Sequence, residues 1–310
     1  MPFRVAPTAI PMSFTHDTNR LVGDLTVGAS GAAPTVVLVW GSGPGGRRWE
    51  DVPQRFAAAG FSFFAYDRPG SGESTGDWRR MTFEDRADEV VAALEALVRR
   101  PEVDPEQLWL FGGSQGGWVA PLAATRYHDL AGLLLQSPPA VGVVEQESYR
   151  LARQVDPEDA DRAVEAFAGL ITKLRAGLDS GPDLRVLEAD RVPGSWQEAV
   201  LEAVGAPGSP DLAFLAGIID HDPVPVLQAI RCPLLAVFGE EDALVPVGRS
   251  IEALEAALTM SGHADHRIAV FPGADHGLRV AGPDGRVHVP GFIELVIAWL
   301  ARRTRVPYPH

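Results

Sequence analysis

Short apolar runs recur along the chain and are separated by segments with helical periodicity. The runs are rich in Val, Leu and Phe and do not alternate with polar residues, which is typical of parallel strands covered on both faces. They lie at residues 35–40, 61–66, 107–111, 131–135, 233–238 and 267–271. Helices are predicted at 49–59, 82–100, 115–126, 246–260 and 291–303. Because strand and helix alternate, we predict the α/β class.

The alternation stops between residues 138 and 225. This stretch has no convincing strand pattern, shows helical periodicity over 160–178, and contains several Gly-Pro and Pro-Gly pairs. We predict a core made of residues 1–137 and 226–310, with an inserted helical cap, or lid, at 138–225. The pattern at about residues 3–28 is weaker and predicts an antiparallel strand pair at the sheet edge.

Composition and charge narrow the possible classes of protein. The 310 residues are 46% hydrophobic and 22% charged, which is typical of a globular protein and excludes a disordered chain. The net charge of −14 repels phosphate backbones, so we expect no nucleic-acid partner. No apolar stretch approaches the about 18 residues of a membrane span, and we expect a soluble, cytoplasmic protein without a membrane partner.

Cys232 is the only cysteine, which excludes a disulfide within the chain and a Cys-rich zinc site. It precedes Pro233 and an apolar run, so we interpret it as a buried structural thiol rather than a nucleophile. We expect neither a metal nor an organic cofactor.

A serine stands at the end of the third apolar run, within the sequence Gly-Gly-Ser-Gln-Gly-Gly of residues 112–117. A serine in a sharp strand-to-helix turn needs very small residues two positions to either side, because the strand and helix backbones nearly touch there. Gly112 and Gly116 meet that need. We therefore predict Ser114 as a nucleophile, and the N–H of Gln115 at the helix N-terminus as a donor to an oxyanion. The alternative is a glycine-rich turn with an idle serine.

A serine nucleophile needs a histidine base that a carboxylate orients. His276 follows the last apolar run, in a loop at the carboxyl end of a strand, whereas His263 and His266 precede that run and belong to the opposite edge. The preceding strand ends in three consecutive carboxylates, from which we choose Asp242 as the orienting acid and keep Glu241 as the alternative.

These residues resemble the α/β-hydrolase superfamily, in its esterase and serine aminopeptidase-like branch with a helical lid. Ser114, Asp242 and His276 follow the family order of nucleophile, acid and base. The segment 40–45 is similar to the family's oxyanion loop, and 66–74 is similar to its turn after the fourth strand. The resemblance implies an α/β-hydrolase fold, a mostly parallel doubly wound sheet with an inserted cap.

The resemblance also implies the second oxyanion donor, a backbone N–H of the loop after the third strand. Ser42 is the first choice and Gly43 the alternative. Many members of the family carry histidine where this chain has Trp40, which puts the loop geometry in question more than the activity. We expect Asp67 to brace the floor of the site without a catalytic role.

The glycines of residues 41–46 also match the G-x-G-x-x-G pattern of dinucleotide-binding proteins, and Asp67 follows at the tip of the next strand. Pro44 removes one N–H from a loop that would have to cradle a pyrophosphate. We therefore keep dinucleotide binding only as a remote alternative.

The predicted function is a serine hydrolase that cleaves a small-molecule carboxylic ester through an acyl-enzyme. Peptide, amide, thioester and lactone substrates remain alternatives, and a non-catalytic receptor with a hydrolase fold is a remote one. The candidate substrate contacts are Gly43, Trp118, Tyr149, Trp196 and Phe214, and for the four aromatic side chains core packing is the competing interpretation. An aminopeptidase would need carboxylates from the lid near the site. A solvated helix face explains the available carboxylates equally well; they are Glu145, Glu147, Asp156, Glu158 and Asp159.

Overall fold

A mixed sheet forms the centre of the computed structural model, which describes residues 9–28, 31–43, 45–47, 49–283 and 285–306. Within these residues, eight strands pair in the order β1-β2-β4-β3-β5-β6-β7-β8. Their bounds are β1 Ala9–His16, β2 Asn19–Thr26, β3 Ala33–Val39, β4 Ser62–Tyr66, β5 Val103–Gly113, β6 Gly132–Gln136, β7 Leu234–Gly239 and β8 His266–Phe271.

The sheet is parallel except at one edge. β2 pairs antiparallel with β1 and with β4, and every pair from β4 through β8 is parallel. The predicted α/β class and the predicted antiparallel strand pair at the sheet edge are therefore confirmed. Residues 3–8 of that predicted pair lie outside the described residues.

Helices cover both faces of the central strands, which explains why the apolar runs do not alternate. On β3, Val37 and Val39 join the core on one face, which includes residues of α2, α3 and α10. Val36 and Leu38 join the core on the other face, which includes residues of α1 and α11. The helices are α1 Val52–Ala58, α2 Phe83–Leu97, α3 Gly116–Arg126, α10 Val247–Met260 and α11 Phe292–Ala301.

Between β6 and β7 the described residues form helices and no strand. These helices are α4 Val143–Gln154, α5 Ala160–Arg175, α6 Gly181–Ala189, α7 Trp196–Val204, α8 Pro210–Ile218 and α9 Pro223–Ala229. The last of them, α9, contacts α3 and α10, two helices that pack on one face of the sheet. The division into a core and a cap at 138–225 stays a prediction.

A short hairpin after β8 has no counterpart in the sequence prediction. It consists of β9 Arg279–Gly282 and β10 Gly285–His288, which pair antiparallel in a sheet of their own. Its strands have four residues each and none of these residues is buried, so they lack the continuous apolar run of the buried strands. In the part of the chain that the structure describes, no helix combines the length and the apolar character that crossing a membrane requires.

Candidate active site

Ser114 occupies a strained turn between β5 and α3. Its φ angle is +52°, in the left-handed region that residues other than glycine rarely adopt. A Cβ atom on Gly112 would lie 2.5 Å from the Gly116 carbonyl oxygen, and one on Gly116 would overlap the Val39 carbonyl oxygen at the end of β3. Only glycine therefore lets β3, β5 and α3 approach so closely at this turn.

The imidazole of His276 is held by the predicted acid. His276 Nδ1 lies 2.7 Å from Asp242 Oδ2, and the second oxygen, Oδ1, accepts hydrogen bonds from the N–H groups of Leu244 and Val245 at 2.8 and 2.9 Å. The Asp242 side chain is 0% exposed and that of His276 is 20% exposed. Because a carboxylate can only accept, Nδ1 is the donor in this pair and Nε2 is left for other chemistry. Glu241, the alternative acid, is exposed.

Two hydrogen bonds, one from the backbone and one from a side chain, link the serine and the histidine through the end of β6. The Ser114 N–H donates to the Gln136 carbonyl at 2.8 Å, and the hydroxyl of Ser137 donates to the His276 carbonyl at 2.8 Å. The three predicted catalytic residues thus follow β5, β7 and β8, at the edge where these parallel strands end. Among the hydrogen bonds of the described residues, none joins Ser114 Oγ to the imidazole of His276.

The opposite edge of the sheet holds the other side chains that the sequence distinguished. His266 begins β8, and His263 Nε2 lies 2.9 Å from the Cys232 carbonyl oxygen, just before β7. Burial raises the pKa of the half-buried Cys232 thiol from its usual 9.0 to about 11. A thiol with so little thiolate at neutral pH agrees with the structural role that the sequence predicted.

The loop after β3 passes directly over the serine. A Cβ atom on Gly41 would lie 3.6 Å from Ser114 Oγ and 3.1 Å from its Cβ. Ser42, the predicted second oxyanion donor, lines the cavity into which Ser114 opens. The N–H of Gln115, the predicted first donor, reaches no acceptor among the described residues. Both predicted donor segments therefore border the serine.

Two buried arginines hold this loop, and sequence reasoning missed both. Arg68 donates to the carbonyl oxygens of Gly41 and Gly43, and Arg86 donates to the Trp40 carbonyl and to the Gln115 side chain. Burial lowers the pKa of each guanidinium. Isolated arginines carry no burial signal in a sequence, because arginine is almost always exposed.

Asp67 braces the turn after β4. Its carboxylate accepts from the N–H groups of Arg47 and Glu73 and pairs with the Arg47 guanidinium at 3.0 Å. The Arg47 side chain is only 19% exposed. The Asp67 carboxylate is thus already bound by groups of the protein and is not available to a ribose hydroxyl. The first helix after the glycine-rich loop begins only at Val52, so the loop does not lead directly into a helix N-terminus. Neither feature fits a dinucleotide fingerprint.

Comparison with known proteins identifies the family. Residues 34–278 match the profile of a family described as the alpha/beta hydrolase fold. The chain belongs to the α/β-hydrolase family. The resemblance and the fold predicted from the sequence are thereby confirmed.

Several relatives of this hydrolase are named for the cleavage of esters. A monoacylglycerol lipase of Mycolicibacterium smegmatis is 27% identical over 83% of this chain and 86% of the lipase. A bifunctional esterase/perhydrolase of Acinetobacter calcoaceticus is 26% identical over 74% of this chain and 80% of its own. A solved esterase of Thermogutta terrifontis shares the fold with a TM-score of 0.57 and 21% identity, covering 96% of this chain and 99% of that one.

A cavity of about 670 Å³ opens between Ser114 and the helices that follow β6. One part of its wall is apolar and is formed by Trp118, Pro139, Val143, Phe214, Leu215, Ile218 and Val245. Another part is polar and includes Gln146, Glu147, Arg150, Glu202 and Asp211. The hydrolase therefore offers an amphiphilic cavity next to its serine.

The predicted substrate contacts divide into two groups. Trp118 and Phe214 line the cavity, and Trp118 also packs against Phe83 with ring centroids 5.2 Å apart. Gly43, Tyr149 and Trp196 are not among its lining residues. Their side chains or carbonyls are engaged elsewhere: the Tyr149 hydroxyl donates to the Asp242 carbonyl at 3.0 Å, the Gly43 carbonyl accepts from Arg68, and Trp196 packs against the core at the start of α7.

Of the five carboxylates in residues 138–225 that the sequence offers to an aminopeptidase, only Glu147 is among the residues that line the cavity. Glu147 lines the cavity and pairs with Arg150 at 2.9 Å, whereas Glu145 pairs with Arg249 of α10 at 3.3 Å. Glu202 and Asp211 also line the cavity, although sequence reasoning did not consider them. Which residues of α4, α7 and α8 face the cavity depends on how these helices pack, and helical periodicity does not indicate that.

One group with the spacing of metal ligands occurs among the described residues, formed by Glu50, Asp51 and His288. The two carboxylates are exposed, and Arg279 already donates to Glu50. Burial lowers the pKa of His288. The group is separate from the cavity that Ser114 lines.

The turn at Ser114 yields a matched pair of glycine substitutions. Gly116→Ala should destabilise the fold by about 1–3 kcal/mol, because its Cβ would overlap the Val39 carbonyl. Gly113→Ala should be tolerated, since no atom lies within 4 Å of its added Cβ. Thermal and urea unfolding of both variants checks this. Equal stability of the two would contradict the close approach of α3 and β3.

Alkylation of Cys232 tests its environment. The pKa of about 11 leaves about a hundredfold less thiolate at pH 8 than a thiol with the usual value of 9.0. We expect slow reaction of the native protein with iodoacetamide at pH 8 and a rate that rises with pH toward 11. The same protein unfolded in urea serves as the control and should react at the ordinary rate. Ordinary reactivity of the native thiol at pH 8 would show that it is neither buried nor inert.

Proposed function

We propose that this protein is a serine hydrolase that cleaves small-molecule carboxylic esters through an acyl-enzyme intermediate. Ser114 is the nucleophile, His276 the general base and Asp242 the residue that orients the base. The proposal depends on one observation above all: the buried Asp242 carboxylate holds the His276 imidazole at 2.7 Å, at the sheet edge where Ser114 is strained into a turn. Residues 138–225 act as the cap that closes the cavity over this edge.

The first step transfers the acyl group to the serine. His276 Nε2 accepts the Ser114 proton as Oγ bonds to the ester carbonyl carbon, and the N–H groups of Gln115 and Ser42 stabilise the oxyanion. When the C–O bond to the alcohol breaks, the imidazolium returns its proton to the departing alkoxide oxygen. Asp242 stabilises the imidazolium and keeps its carboxylate form throughout.

The second step repeats the chemistry with water. His276 Nε2 removes a proton from a water molecule that attacks the acyl carbon, and the same two N–H groups hold the second oxyanion. Collapse of this intermediate breaks the bond to Ser114 Oγ, which regains a proton from the imidazolium. The products are a carboxylic acid and an alcohol, and all atoms of the ester and water are accounted for.

The cavity supports an amphiphilic ester as the substrate. Its volume of about 670 Å³ lies in the usual range of about 300–1,000 Å³ for small-molecule sites. Trp118, Phe214 and Leu215 offer an apolar surface to an acyl chain, and the paired side chains of Glu147 and Arg150 offer hydrogen bonds to a polar alcohol. Relatives named monoacylglycerol lipase and esterase/perhydrolase agree with this chemistry.

The nucleophile is tested by covalent labelling. A fluorophosphonate probe should label the wild-type protein, and Ser114→Ala should abolish the label and lower ester turnover by at least about 10³- to 10⁴-fold. Ser261→Ala, which changes a partly buried serine at the end of α10, should retain both. Label that persists in Ser114→Ala would assign the reactive residue elsewhere.

The bond type is tested with a substrate panel. We expect turnover of p-nitrophenyl acyl esters to exceed that of aminoacyl-naphthylamides and acyl thioesters, because the apolar wall accepts an acyl chain beside a polar region. Steady-state kinetics with Ser114→Ala as the blank measures this. Faster cleavage of the naphthylamides would assign a peptidase, and of the thioesters a thioesterase, on the same serine. Labelling of Ser114 without turnover of any of the three would mean that the substrate class is wrong.

A further inference from the structure

Arg68 donates hydrogen bonds to the backbone of the predicted oxyanion loop. Its guanidinium is buried, Nη1 donates to the Gly41 carbonyl at 2.9 Å, and it also donates to the Gly43 carbonyl. The same guanidinium stacks on the Trp78 ring at 4.6 Å from the ring centre. One side chain thus binds the carbonyls on both sides of Ser42.

Arg86, in the first turns of α2, joins the two segments that border the serine. It is 4% exposed, and its Nη2 donates to the Trp40 carbonyl at 2.7 Å while its Nη1 donates to Gln115 Oε1 at 2.7 Å. Trp40 precedes the loop that carries Ser42, and Gln115 directly follows the nucleophile. A single guanidinium therefore links the end of β3 to the turn between β5 and α3.

The Arg68 contacts fix the direction of the Ser42 N–H because of the geometry of the peptide unit. In a trans peptide the C=O and the N–H that follows it point to opposite sides. Since the Gly41 carbonyl points at Arg68, the Ser42 N–H points away from Arg68. The Gly43 carbonyl belongs to the peptide bond with Pro44, which has no N–H. The Arg68 contacts therefore orient one N–H group, that of Ser42.

The buried charges do not balance around these arginines. Glu89 is the buried carboxylate nearby, and it accepts from the Tyr66 hydroxyl at 2.8 Å. Neither guanidinium forms an ion pair within 4.0 Å of a carboxylate among the described residues. Burying a cation without an ion-pair partner is costly, so the hydrogen bonds to carbonyl oxygens and the nearby charge of Glu89 together compensate both arginines.

We propose that Arg68 and Arg86 are positioning residues that fix the oxyanion hole, with Arg68 orienting the Ser42 N–H and Arg86 tying the Gln115 segment to the same loop. The inference rests on the proposed esterase function. A flip of the Gly41–Ser42 peptide would turn the Ser42 N–H toward Arg68, remove one oxyanion donor and break the Arg68 hydrogen bond. The two arginines oppose that flip without touching the substrate.

The test separates orientation of the donors from simple support of the fold. Arg68→Met and Arg86→Met, each confirmed as folded by thermal unfolding, should lower kcat on a p-nitrophenyl ester by about 10- to 100-fold, toward the loss of one oxyanion donor. KM should change less than about threefold. The affinity of a trifluoromethyl ketone, which forms a tetrahedral adduct on the serine, should fall by the same factor as kcat/KM, as expected of a transition-state analogue.

Two control variants probe the other contacts of these side chains. Arg79→Met removes a second guanidinium that stacks on Trp78, at 5.7 Å, but that contacts neither loop segment. Glu89→Gln removes the buried charge beside the two arginines, and Glu89 is no partner in any of the arginine–carbonyl hydrogen bonds. Both should keep kcat and the ketone affinity within about threefold of wild type, and Glu89→Gln should lower Tm.

The outcomes distinguish the two proposals. If wild-type protein shows no ester turnover and no labelling of Ser114, the proposed function fails. The positioning role is wrong if wild type is active and the folded arginine variants keep both kcat and ketone affinity. It is also wrong if these variants show only a raised KM. Should the methionine variants not fold, Arg68→Lys and Arg86→Lys decide, since one ammonium group cannot reproduce the geometry of a guanidinium fork. These must show the same parallel loss to a smaller degree.

Discussion

The close approach of three backbones at the turn before α3 is the constraint on which this site depends. Gly112 and Gly116 leave no side chain between β3, β5 and the first turn of α3, and the contact reaches the Val39 carbonyl. The turn that results forces Ser114 to a positive φ and places it at the sheet edge, where it lines the cavity. The local strain is offset by the surrounding fold, because both faces of β3 and β5 are packed by helices.

The polar groups around that turn are held by backbone hydrogen bonds rather than by exposed ion pairs. Asp242 accepts from two N–H groups of its own loop, and Arg68 donates to two carbonyls of the loop after β3. Buried charges with such partners have little freedom to rearrange. The site therefore consists of short loops whose peptide groups are oriented by buried charged side chains, and such fixed groups can stabilise a developing oxyanion.

The sequence did not predict the role of residues whose contacts are with segments distant along the chain. Arg68 and Arg86 look like ordinary surface residues in the sequence, and only the packing of α2 and the turn after β4 shows them buried. The hairpin of β9 and β10 was missed because its strands are only four residues long and are not buried. The cavity wall formed by α4, α7 and α8 could not be assigned either, because periodicity identifies an apolar face without naming its neighbour.

The sequence by itself determined the α/β class, the positions of the buried strands along the chain, the helical stretch after β6 and the motifs around Ser114, Asp242 and His276. These features are local, since burial on both faces, glycine spacing and strand ends each leave a pattern in a few consecutive residues. Only the tertiary structure decided that Asp242 rather than Glu241 binds the imidazole, that Ser137 ties His276 to β6, and that two arginines support the loop. Those choices depend on distances between segments far apart in the chain, which no local pattern encodes.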